Sequence, residues 1–399
     1  MRWPLLLLAA TGLLAVACQQ PGAPLSIPDT TAVDTAGWET IDLVPGASAQ
    51  AIAINDDGMV LIAADRRYFV YENGERRLIP NDGGAHPQIM TSTGRMAGQS
   101  GDQVVVVWDS ISALPRQFEA GTFGSLGGIF VVGMNDRDDL VAVQNAHDGI
   151  DGHARTLLWR NGVRQELGYF ADSGIGYPST FATALNASGQ IVGGSKVALV
   201  THPDSPPSEV FHPFIWENGV LRDLGVLAHV PCAEVATPMD CGGGTANDIN
   251  AHGVVVGWST GRGDVLRAFV WENGVMRDLG VDPGEPTRAL AINDRGQILG
   301  TSSGIPFLWG DGVAQRITSA LPAYPAALGA NGEVIGSLDL GVNNLRHAFV
   351  WKSGQLTDLG VGIPHAINRH GDIIGTWYRD DGGYRAILWR KKRIESAAR

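Results

Sequence analysis

Cysteine is scarce in this chain, with three in 399 residues, so a fold of this length has to be held by a packed interior rather than by a disulfide framework. Positive charge is scarce as well. The 29 Lys and Arg stand against 41 Asp and Glu, for a net charge of −12. That balance excludes nucleic acid as a natural partner, since phosphate binding needs clustered cations. The one basic run, Arg390 to Arg393, reads as a solvated tail. The apolar stretch from Leu5 to Leu14 is too short for a comfortable membrane span. No segment with a helical period is worth defending. The metalloprotease His-Glu-x-x-His string, the phosphate loop and the dinucleotide fingerprint are all missing.

Glycine, by contrast, is abundant at 53 of 399, roughly twice the ~7% norm. The excess suits many short strands joined by tight turns. The N-terminus has its own character. Arg2 precedes the apolar stretch, and "LAVAC" ends at Cys18. This resembles a bacterial lipobox, which implies cleavage after Ala17 and a lipid on Cys18; ordinary signal cleavage nearby is the alternative. Gln19 after the Cys implies, by the same resemblance, outer-membrane sorting. We therefore expect a lipoprotein signal peptide at 1–17, a polar, Pro- and Gly-containing tether at 18–37, and one folded domain at 38–399.

That domain repeats one sentence about eight times. Clear copies are "HPFIWENGVLRDLG", "RAFVWENGVMRDLG" and "HAFVWKSGQLTDLG", each preceded by a phrase such as "DINAHGVVVGWS". Each unit reads as four antiparallel strands, a to d. Asn-Gly between apolar runs marks the c–d hairpin, and Asn with Gly three residues on marks the a–b turn. An aromatic ends strand c in every unit: Tyr71, Trp108, Trp159, Trp216, Trp271, Trp309, Trp351 and Trp389. Four-strand units spaced near 40 residues predict an all-β fold, a single β-propeller of about eight blades. Seven blades, or an open β-solenoid, are the alternatives. The segment "WETIDL" at 38–43 reads as an orphan strand d, while "KRIESA" near the C-terminus is a competing one. One of the two is in excess, and the sequence does not choose.

The phrase set resembles the bacterial HAF extracellular repeat family, through His347, Ala348 and Phe349. The resemblance spans residues 38 to about 390. It implies an exported, repeat-built protein and no established activity. Arg267, Ile305 and Arg385 replace the His in other units.

Residues that look like chemistry fall into three sets. The first keeps an offset of eleven: Arg155 and Glu166, His212 and Asp223, Arg267 and Asp278, His347 and Asp358. A two-residue turn places each pair diagonally on one sheet face. The exchange of His for Arg opposite a carboxylate points to structural clamps within blades rather than to metal ligands or general bases. The second set is Cys232 and Cys241, a predicted disulfide worth ~2–3 kcal/mol of loop entropy, with a zinc site as rival. The third is a binding face. The b–c and d–a connections vary in length and emerge on one side, the longest at 169–182, 196–211 and 226–244. Tyr177, His202, Asp204, His229 and Asp240 are the candidates there, with Trp258 and Trp377, which have no equivalents in other units. The Asp-rich turns lack the ligand spacing of a calcium loop, and no cofactor is expected.

From these readings we expect a lipid-anchored envelope binding module, probing a protein or glycan with its variable loops. Its expected form is a monomer, its only membrane contact the lipid. An envelope polysaccharide hydrolase or lyase is the alternative, because paired carboxylates need not be close in sequence.

Overall fold

A computed structural model describes residues 37–81, 84–123, 127–147, 152–170, 179–202, 205–227, 242–260, 265–341, 345–378 and 382–392. The three cysteines, Tyr177, Asp204, His229 and Asp240 lie outside these residues, as do the expected signal peptide and nearly all of the tether.

The described chain is strand and turn, arranged as eight four-stranded antiparallel sheets, each in the order a–b–c–d. Strand a of every sheet touches strand a of the next, through all eight and back to the first, so the sheets are blades around a central axis. The protein is an eight-bladed β-propeller, with strand a innermost.

Local sequence explains each blade. The c–d hairpins turn on two residues with positive φ, such as Asn218 (50°) and Gly219 (86°) or Asn273 (52°) and Gly274 (84°). That is the primed turn whose twist matches antiparallel strands. Strand a carries a β-bulge in every blade, for example between Ala246 and Asp248. In the blades with Gly at the facing position of strand b, a carbonyl of strand a stands close to it. A Cβ on Gly257 would lie 2.1 Å from the Thr245 oxygen, and one on Gly336 2.2 Å from that of Tyr324. This contact explains the Gly that recurs in strand b of six blades.

The ring closes with the N-terminal strand. Trp38–Asp42 pairs antiparallel with Tyr384–Lys391, Trp38 opposite Lys391 and Asp42 opposite Ile387, and so becomes strand d of blade 8. The competing segment begins beyond this pairing and lies almost wholly outside the described residues.

The interior is divided. Eight apolar clusters fill the eight gaps between blades, one in each. The aromatic ending strand c is the plug of each gap. Trp216 packs against Val141 and Leu158 of blade 3, and Trp351 against Leu299 and Leu308 of blade 6. Trp108 and Trp389 have no exposed surface. Such flat rings suit sheet-on-sheet contact and are spent on it.

A belt of hydrogen bonds joins the a–b turns. Asn tolerates left-handed φ, but in this turn that conformation belongs to the residue three places on, Gly58 or Gly253 for instance. The Asn side chain does different work. In Asn250, Oδ1 accepts the N–H groups of His252 and Val254, both at 3.0 Å, which builds the turn. Its Nδ2 donates 3.2 Å to the carbonyl of Asn293 in the next blade. Asn55, Asn135, Asn186, Asn293 and Asn368 repeat this, Asn368 reaching Asn55 at 3.1 Å across the closure. Thr91 and Gly329 replace the Asn in blades 2 and 7. There Ser92 donates to Asp136 at 2.5 Å, and Asn331 to the Arg369 carbonyl at 3.1 Å. Eight links result.

Candidate functional site on the loop face

Strand alternation puts the a–b and c–d turns on one face and the b–c and d–a connections on the other. The connections vary and the turns do not, which makes the loop face the candidate site. One expected loop is not a loop. Most of residues 196–211 extend blade 4 as strand, Ile191–His202 paired with Ser205–Glu217, with bulges after Lys196 and Val200. His202 ends the first of these strands, opposite Ser205.

The eleven-residue pairs meet within their own blades. His212 Nδ1 lies 2.8 Å from Asp223, His347 Nδ1 2.8 Å from Asp358, Arg267 Nε 2.8 Å from Asp278 and Arg155 3.3 Å from Glu166. Arg267 also donates to the carbonyls of Val281, Asp282 and Glu285, tying its blade to the connection that follows. Burial would raise the Asp358 carboxyl, but hydrogen bonds from His347 and the Gly360 N–H outweigh it and hold the group below its ordinary range. A fifth pair crosses the closure. Arg385 stands 3.9 Å from Asp42, which holds the register of the missing blade-8 acid.

Trp258 and Trp377 are half-buried, and each lies under a guanidinium. Arg288 is 5.2 Å from the Trp258 ring and Arg385 4.9 Å from the Trp377 ring. Arg288 belongs to a row that sequence reading does not single out, the second residue of strand a, near the loop-face mouth of the channel. The row runs Gln50, His86, Phe130, Phe181, Thr245, Arg288 and Tyr324. His86 Nδ1 is 2.6 Å from the hydroxyl of Tyr68, whose acidity burial weakens. Phe181 packs edge-on against Phe211 at 5.3 Å, and Arg346 stacks 4.6 Å from the half-exposed Tyr324. Tyr378 and Tyr384 meet at 5.2 Å on the same face. Only the alternation of short strands could have revealed the row, because its residue types vary.

Deeper in the channel two titratable groups are shifted. Asp248 sits just past the bulge of blade 5. Desolvation pushes its carboxyl up to about 6, with Asp294 adding to the rise, against hydrogen bonds from the N–H groups of Ile292 and Ile249. His365, the bulged residue of blade 8, lies 2.8 Å from the Thr376 hydroxyl, and desolvation lowers its pKa. A Gly-x-Ser-x-Gly string at Gly300–Gly304 lies across strand b and the b–c turn of blade 6. It has no helix behind it and its Ser302 is buried, so it is not a nucleophile elbow. Among the described residues, no group of three His, Cys, Asp or Glu side chains is placed to hold a metal ion.

No family model matches the chain, and no curated protein matches it. Solved propellers do. The chain is similar to the β-propeller domain of the Trilobed protease from Pyrococcus furiosus (13% identity, TM-score 0.47, covering 78% of this chain and 97% of that one). It is also similar to oligogalacturonate lyase from Vibrio parahaemolyticus (10%, 0.47, 88% and 96%). A third is the extracellular domain of a one-component system from B. thetaiotaomicron (10%, 0.36, 88% and 53%). Likeness at this level speaks of fold alone.

Proposed function

We propose that the protein is an exported binding module, tethered to the envelope by a lipid on Cys18 and built from HAF-type repeats, which offers its loop face to a glycan or a protein. The observation that carries this reading is the chemistry of the loop face. Aromatic rings stand there with guanidinium or imidazole partners, and Tyr324 (46% exposed) and Tyr378 (56%) remain open to solvent. Such rings give contact area at little conformational cost and suit sugar faces and peptide side chains alike. In blades 3, 4, 5, 7 and 8 the base that heads strand c is committed to a clamp instead. The test is a glycan array and an envelope pull-down with the fragment from residue 38. Tyr324→Ala and Tyr378→Ala should each weaken capture, and full capture by the double variant counts against the reading.

The hydrolase or lyase reading draws on Asp248 and His365, since shifted protonation in a channel is what acid–base chemistry needs. It requires new reducing or unsaturated ends from a polysaccharide, lost in Asp248→Ala.

A further inference from the structure

One copy of the clamp register keeps its base but lacks its acid. In blades 3, 4, 5 and 7 the base that heads strand c takes a carboxylate from strand d, and in blade 8 it takes Asp42. Blade 1 has the base, Arg67, four residues before Tyr71. Its acid position is Leu78, opposite Phe69 and 53% exposed. Among the described residues Arg67 makes no ion pair or side-chain hydrogen bond. The same holds for Arg76, on strand d opposite Tyr71. Both arginines line one cleft of about 420 Å³ on the loop side of the closure, together with Phe69, Val44, Pro45 and Asp65. In a chain of net charge −12, two unpaired guanidinium groups in one cleft stand out.

We propose that this cleft binds a uronic-acid residue of a glycan, whose carboxylate occupies the place the other blades fill with their own acid. The register supplies the geometry. A guanidinium at this position reaches a carboxylate on the diagonal with one bond in blade 3 and two in blade 5, and the planar fork of Arg suits such a group. Asp65, when ionised, only accepts, so it selects a ligand with hydroxyl donors beside its charge. Phe69 and Pro45 offer apolar surface to the C–H face of a sugar ring. The volume falls within the ~300–1,000 Å³ of small-ligand sites. An acidic peptide fits less well, because it brings further carboxylates to Asp65 and few hydroxyls.

The test is calorimetric titration of the full chain with a short oligouronate, its neutral counterpart and poly-L-glutamate. The variants are Arg67→Ala and Leu78→Asp, the second of which restores the blade's own acid and should keep or raise the thermal midpoint. The oligouronate is expected to bind, and to bind about tenfold or more weakly in each variant, as loss of a charge-assisted pair implies. The neutral sugar and the peptide should not bind. Absent oligouronate binding, binding unchanged in folded Leu78→Asp, or preference for poly-L-glutamate each overturns the proposal. Neither Tyr324 nor Tyr378 lines the cleft, so this site and the proposed channel-mouth surface can fail separately.

Discussion

Replacing Asn250 tests whether the belt of turns holds the ring. The side chain is 5% exposed and makes three bonds, two from its own turn and one to the next blade. At a net ~1 kcal/mol per bond, Asn250→Ala should cost about 3 kcal/mol. An unfolding entropy of ~2.1 cal/mol/K per residue over some 350 residues gives roughly 0.7 kcal/mol/K, so the thermal midpoint should fall about 4 °C. Asn250→Asp separates the two roles. It keeps both turn acceptors but sets a carboxylate oxygen against the Asn293 carbonyl. The neutral acid can donate there and the ion cannot, so the folded-state pKa of the new carboxyl must rise above its unfolded value. Its stabilising contribution is then present below the unfolded pKa and lost as pH climbs through the folded one. At pH 7 the Asp variant should be no more stable than the Ala variant, and at pH 4 it should be the more stable of the two. Urea melts at both values decide the matter. An Ala variant within 0.5 kcal/mol of the parent, or an Asp variant indifferent to pH, refutes the reasoning.

Asp248 has its pKa raised, to about 6, so its contribution is full below about 4 and falls away as pH rises through 6. The difference amounts to at most about 3 kcal/mol. Urea titrations from pH 4 to 7 should show the parent losing stability relative to Asp248→Ala, and parallel profiles would exclude it. The clamps should be unequal from their two ends. Arg267→Ala loses three carbonyl bonds as well as its acid and should cost ~2–3 kcal/mol, whereas Asp278→Ala, on a side chain 38% exposed, should cost ~1 kcal/mol or less. Equal costs in denaturant melts would mean that the salt bridge alone matters.

What could be read in advance follows the range over which each interaction acts. The c–d turns, the strand order within a blade and the clamp pairs depend on residues within about a dozen positions, and a repeated offset exposes them. Closure by Trp38–Asp42 joins the two ends of the domain. The sequence names both candidate strands but cannot rank them, because the choice lies in pairing with Tyr384–Lys391. The Asn ladder was visible as a period, yet its acceptor lies 43 residues away for Asn250, and that hides the bond. The row at the channel mouth was invisible for the opposite reason. Gln, His, Phe, Thr, Arg and Tyr share only a position, so no residue type announces it. Trp258 and Trp377 do stand out by type, but the guanidinium over each came from elsewhere, Arg288 from the next blade and Arg385 from the paired strand.

The closing strand also brings the two described ends of the chain together. Trp38 lies beside Lys391, at the end of the last blade where the a–b and c–d turns are, and Asp42 lies toward the connections. The polypeptide thus joins and leaves the propeller at one spot on its rim, on the side of the short turns. The varied connections, the channel mouth and the Arg67 cleft open on the other side, away from both described ends of the chain.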